Sequence, residues 1–168
     1  MLFIDEPVIP KEIAESEYYS TEMLNYVLEY VLMCVNIYES YKNAEMVIEG
    51  RFDLTMYVKE CFGSCDCAII AEDEVHIVDL KYGNGVQVEA ENNPQLKMYA
   101  LGVIRSLPPA TQAKIKTVHM SIGQVRLGHT PTFTMSHADL THWAIHELGP
   151  KATLAYAGEG KAVAGCVS

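Results

Sequence analysis

Apolar residues first recur along this chain with a helical period. From Thr21 to about Tyr41 they fall at Leu24, Val27, Leu28, Val31, Leu32, Val35 and Tyr38, a spacing that predicts one face of an amphipathic helix. Three stretches rich in Val, Ile and Phe follow, Glu45 to Leu54, Cys61 to Ala71 and Glu74 to Tyr82, and these predict strands. The acidic run Glu72, Asp73, Glu74 is a short turn, so the second and third strands read as a hairpin. After Gly83, Asn84 and Gly85, the segment Asn92 to Leu107 predicts a second helix with Leu96, Tyr99, Ala100, Val103 and Leu107 on one side. Pro108 and Pro109 end it, because proline lacks an amide proton and disfavours helical geometry in the residue before it. A fourth strand is predicted from about Lys116 to Leu127. Ser136 with Asp139 three residues on resembles a helix cap, and His137 to Ala157 predicts a last helix that absorbs a disturbance at Gly149 and Pro150.

The predicted order, α-β-β-β-α-β-α, combines an antiparallel hairpin with a helical crossover that permits parallel pairing. It describes a mixed α/β sandwich. At 168 residues, 49% of them hydrophobic, the chain is long enough for one substantial core. A single domain over 1–168 is expected, with its core at about 21–127 and a C-terminal helix at about 136–157. No apolar run reaches the roughly 18 to 20 residues that cross a bilayer, and the start lacks the features of a secretion signal. A soluble protein of the cytoplasm, in a bacterial or phage-infected cell, with no membrane partner is expected.

Five cysteines, Cys34, Cys61, Cys65, Cys67 and Cys166, form an odd set without disulfide-framework spacing, so reduced thiols are expected. Cys61, Cys65 and Cys67 cluster, but C-x3-C-x-C is not the spacing of a zinc ribbon. Among the histidines only His142 and His146 have helix-neighbour spacing, with no third ligand or catalytic Glu between them.

The chemistry concentrates in GSCDCAIIAEDEVHIVDLKYG. Residues two apart on a strand share a face, which puts Asp79 beside Lys81. Asp66, on the hairpin partner, mirrors Asp79 about the turn, so the two carboxylates are expected to converge. Paired carboxylates with an adjacent ammonium suit a hard, oxygen-seeking cation better than a core. Mg²⁺ or Mn²⁺ held there would lower the pKa of an attacking water and neutralise charge developing on phosphorus. Lys81 would orient that water or stabilise the transition state, the carbonyl of Leu80 could add a ligand, and Glu49 on the first strand is a candidate third carboxylate.

These residues carry a resemblance. G-x-x-D at Gly63 to Asp66, I-V-D-L-K at Ile77 to Lys81 and Q-x-x-x-Y at Gln95 and Tyr99 resemble the PD-(D/E)XK nuclease superfamily. The string GNGVQVEAENNPQLKMYALG at 83–102 is similar to phage and prophage proteins of its RecB-like and lambda-exonuclease-like branch. The resemblance implies a restriction-endonuclease-like mixed sheet flanked by helices. It also implies metal ligation by Asp66 and Asp79, a catalytic Lys81, and Gln95 and Tyr99 facing the active site from the second helix, where they contact the scissile strand or position the motif. Gln124 and Arg126 look like a Q-P-R segment that contacts nucleic acid, although Val125 replaces the proline. Similar proteins often carry a cysteine-rich C-terminus able to hold an iron–sulfur cluster, whereas this sequence ends just after Cys166. They also often begin with a helix bearing an acidic or histidine residue, for which Glu29 or Glu39 would stand in.

The function expected is a metal-dependent deoxyribonuclease, an exonuclease of phage-type recombination acting on DNA, with a homo-oligomer or a recombination protein as partner. The formal charge of −10 cuts against it, since duplex DNA usually meets a basic face. It motivates the alternative of a non-catalytic binding or scaffold protein on the same fold, a regulator or DNA mimic.

Overall fold

The computed structural model describes residues 8–160. A four-residue helix α1 (Lys11–Ala14) precedes α2 (Thr21–Glu39), whose amide of Met23 donates to the capping hydroxyl of Ser20. Then come β1 (Glu45–Asp53), β2 (Phe62–Ile70) and β3 (Glu74–Leu80), α3 (Pro94–Ser106), a short α4 (Pro109–Gln112), β4 (Thr117–Gly123) and β5 (Thr132–Ser136). The chain ends in α5 (His137–Trp143), a π-helical turn at Ala144–Leu148 and α6 (Gly149–Tyr156). The sheet runs β1-β2-β3-β4-β5, with β3 and β4 parallel and every other pair antiparallel. The fold is therefore α/β, a five-stranded mixed sheet flanked by helices, compatible with a restriction-endonuclease-like arrangement.

The expected hairpin and parallel crossover are both present. β2 and β3 meet through Ala71 N–H donating to Glu74 C=O at 2.9 Å, and α3 carries the chain over to β4. Asn93 caps α3, Pro94 starts it, and Leu107 is extended in front of Pro108. Ser136 caps α5, accepting from Asp139 N–H and donating to its carboxylate. The last helix takes the lost amide of Pro150 into a wider π turn just before it, the usual way a helix absorbs such a defect.

Three expectations need correction. The fourth strand stops at Gly123, Val125–Leu127 is a 3₁₀ turn, and the chain reverses at Gly128 (φ 58) into β5, which went unread. Its sequence TFTMS is too short and polar for periodicity to mark it, and only pairing with β4 makes it a strand. α4 also went unread. Finally, α2 lies on the sheet through Tyr30, Met33, Cys34 and Ile37, continued by Tyr41 just past its end, rather than through the predicted stripe, leaving Val31 and Tyr38 partly exposed. The helix is apolar on more than one side, so the stripe that packs is chosen by fit. Gly123 lets the Tyr30 ring lie against β4, where a Cβ would come within 2.8 Å of it.

The larger core fills the α3 side, from Val75, Ile77, Met120 and Ile122 of the sheet to Leu96, Ala100, Val103 and Ile104 of the helix. The smaller lies under α2 and comprises Cys34, Cys67, Ile69 and Val78 with the residues packed on them. Among the described residues no helix is long and apolar enough to cross a membrane.

Candidate active site

The β2–β3 ladder ends at Cys67↔Val78. The next facing positions in that register are Asp66 and Asp79, and there the strands part. Side chains take over the backbone groups that β2 no longer satisfies: Tyr30 Oη donates to Val78 C=O at 3.0 Å, and Asp66 Oδ2 accepts from Leu80 N–H at 2.7 Å. Beyond the sheet's last paired residues a gap thus opens between the two acids, with its polar groups met by an aromatic hydroxyl and a carboxylate.

β1 takes part in the same distortion. Strict alternation would put Val47, Glu49 and Arg51 on one side, yet Val47 and Phe52 both join the α3-side core while Ile48 and Glu49 line a cavity under α2. In β2, Cys65 and Ala68 both belong to the α3 side, whereas Asp66 lines that cavity and Cys67 joins the α2-side cluster. Alternation therefore slips by one residue in both strands. Glu49 lies across from Asp66, between the pairs Ile48↔Cys67 and Gly50↔Cys65, with φ of 52°. A left-handed glutamate within a strand acts as a bulge does and re-aims its side chain, at a strain of about 1–3 kcal/mol.

Asp79 stays on the α3 side with Val75 and Ile77. Its residue is 3% exposed, and burial raises its carboxyl above the usual carboxylate range, with Lys81 pulling the other way. Lys81 Nζ lies 2.6 Å from Asp79 Oδ2, an ion pair that holds this buried oxygen. The ammonium also donates to Gln95 Oε1 at 3.0 Å, and Gln95 Nε2 donates to Tyr99 Oη at 2.7 Å. Tyr99 in turn lies against β2 at Gly63, where a Cβ would come within 3.0 Å of its ring. The expected set Asp79, Lys81, Gln95 and Tyr99 is thus one connected chain from β3 to α3.

The structure does not bring Asp66 into the same contact. Its carboxylate spans the gap toward Leu80, with one oxygen engaged by the Leu80 amide. Among the described residues no three His, Cys, Asp or Glu side chains come together as a metal cage. The set still fits a hard cation in part: Asp79 offers a carboxylate at the end of the parted strands, Asp66 keeps Oδ1, and Mg²⁺ usually completes its shell with waters and substrate phosphate.

Gln124 has a different role from the nucleic-acid contact expected. It is 2% exposed and ties down the loop after β3: Oε1 accepts from Val88 N–H at 3.0 Å, and Nε2 donates to Val86 C=O at 2.9 Å and Gly83 C=O at 3.4 Å. A side chain so enclosed cannot also reach a strand at the surface. Arg126 is half-buried, lies 5.2 Å over the Tyr82 ring and has no carboxylate partner among the described residues. Glu29 and Glu39 are exposed and do not line the cavity. Cys65 and Cys67 belong to opposite cores, and burial pushes the Cys65 thiol up to about 12. His142 and His146 stack with ring centres 4.3 Å apart; Cys166 lies outside the described residues.

The family described as Protein of unknown function (DUF2800) matches residues 5–167. The chain belongs to this family. In this DUF2800 chain the match covers the whole sheet and both flanking helices, so the parted strands and the Lys81–Gln95–Tyr99 chain lie within the family's span. Sequence reasoning missed Tyr30 and Tyr82, which shape the α2 side of the gap. The signal available was Tyr30 at helical spacing from Cys34, both of which read equally well as core.

Proposed function

We propose that this protein is a divalent-metal-dependent deoxyribonuclease of the PD-(D/E)XK type, and that it hydrolyses phosphodiester bonds at the gap between β2 and β3. The observation that carries this reading is the buried Asp79–Lys81 pair at 2.6 Å, its ammonium braced by Gln95 and still partly open to solvent at the parted end of β2 and β3.

Asp79 and Asp66 would hold Mg²⁺ or Mn²⁺, with Leu80 and Glu49 the remaining candidate oxygen donors. When bound, such an ion supplies a more acidic water and neutralises charge on the phosphate. Tyr99 fixes the rotamer of Gln95, and Gln95 holds the Lys81 ammonium toward Asp79. Lys81, whose side chain is 28% exposed, presents its positive charge to an incoming phosphate or water. Arg126, stacked on Tyr82, is the nearby cation that suits the DNA backbone. Incubation with linear DNA and Mg²⁺ or Mn²⁺ tests the proposal. Absence of cleavage with either metal, or cleavage undiminished in Asp79→Ala, removes it.

The charge of −10 and the engagement of Asp66 by the Leu80 amide favour a second reading, a nuclease-fold binding protein that meets a basic partner as DNA does. Tight association with labelled DNA at moderate salt excludes that mimicry.

A further inference from the structure

Resting on the nuclease reading, the geometry points to a nucleobase pocket between α2 and the sheet, next to the gap and selective for guanine. The cavity has a volume of about 330 Å³, at the lower end of the range typical of small-molecule sites. One wall is α2, through Tyr30, Val31, Cys34 and Val35; the other comes from β1 and the end of β3, including Met46, Leu80 and Tyr82. Apolar walls with aromatic rings suit the flat face of a base, whose stacking does not depend on sequence.

Two lining residues are charged, and both are acids, Glu49 and Asp66. They oppose each other across β1 and β2, and the slipped alternation turns both into this space. Glu49 has no hydrogen bond or ion pair among the described residues, and Asp66 commits one oxygen to Leu80 N–H. A base that fills the cavity meets the Glu49 carboxylate at its exposed rim, and two adjacent donors on one base edge can satisfy both of its oxygens. Guanine presents adjacent donors, N1–H and N2–H₂, on one edge. Adenine and cytosine present an amino group beside an acceptor, and thymine presents one N–H between two carbonyl oxygens that the carboxylates repel.

The cavity reaches the candidate cleavage site through β3. Leu80, which lines it, lies between Asp79 and Lys81, and Asp66 belongs to both. A base seated here holds its strand at the parted end of β2 and β3, which would bias cleavage toward positions beside guanine.

The test is equilibrium titration of the full chain with the four deoxynucleoside 5′-monophosphates in EDTA, followed by tyrosine fluorescence and by amide shifts of Tyr30 and Tyr82. dGMP is expected to bind at least about tenfold more tightly than dTMP. Val35→Trp, which fills the cavity, is expected to lower dGMP affinity at least tenfold. Glu49→Gln, at an exposed position where folding is not at stake, is expected to erase most of the preference for dGMP. Equal affinity for all four nucleotides, no binding at all, or unchanged binding in Glu49→Gln overturns the pocket. Since no metal is present, the result is independent of cleavage. Selective dGMP binding without nuclease activity would keep the pocket and sink the nuclease reading, and cleavage of DNA without dGMP selectivity would do the reverse.

Discussion

Lys81 joins the buried Oδ2 of Asp79 at 2.6 Å and Gln95 Oε1 at 3.0 Å, bridging β3 to α3. Replacing Asp79 by Asn removes a charge that burial disfavours. Because burial raises the Asp79 carboxyl despite Lys81, and Lys81 stays partly solvated, we expect Asp79→Asn to retain thermal stability while losing metal-dependent cleavage by at least about a hundredfold, the scale set by removal of one electrostatic group at a reacting centre. Thermal melts and DNA digestion of the same preparation check this. A variant that cleaves normally, or that simply unfolds, contradicts it.

Gln95 and Tyr99 are positioning residues, acting through Lys81. Gln95→Leu should lower kcat about tenfold or more with little change in KM. Tyr99→Phe, which deletes one hydroxyl, should cost about 1 kcal/mol of stability and have a milder effect on kcat. Gln95→Glu, which keeps an acceptor for the Lys81 ammonium, should restore activity relative to Gln95→Leu. Equal loss in the Glu and Leu variants would mean that Gln95 does not act by holding Lys81.

Gln124 organises the loop Gly83–Val88 from beneath. In Gln124→Leu the amide of Val88 and the carbonyl of Val86 lose their partner, at a cost of roughly 1–3 kcal/mol for two part-buried hydrogen bonds. A lower urea midpoint and faster amide exchange at Val88 are the expected readings; an unchanged exchange rate would show that the loop is held by something else.

His76 makes stability pH-dependent. It hydrogen-bonds Ser121 Oγ at 2.7 Å, and its ring centre is 5.3 Å from that of His119, which pairs with Glu74. Burial, with a smaller contribution from His119, pushes its pKa down from 6.5 to about 4. Above pH 6.5 both folded and unfolded chains keep this imidazole neutral. As the pH falls from 6.5 through about 4, the unfolded chain takes up a proton that the folded one resists, so stability declines across that window by on the order of 3 kcal/mol. His76→Gln, uncharged throughout, should flatten the curve in urea titrations at a series of pH values. An equally steep loss in that variant would assign the effect to other groups.

The sequence by itself determined the order of α2, β1, β2, β3, α3 and β4, the hairpin, the crossover and the juxtaposition of Asp79 with Lys81, because all of these follow from local periodicity and strand alternation. Ser136 and Asp139 were legible as a cap for the same reason. Tertiary structure decided what depends on partners distant in the chain. β5 exists only by pairing with β4, and Tyr30 faces the sheet because Gly123 leaves room for its ring. The slip at Glu49 and Asp66 lies outside strict alternation, so Asp66, opposite Asp79 in register, engages Leu80 N–H and lines the cavity. Gln124 became a loop anchor because the groups that enclose it lie some forty residues earlier, a separation that local pattern does not report.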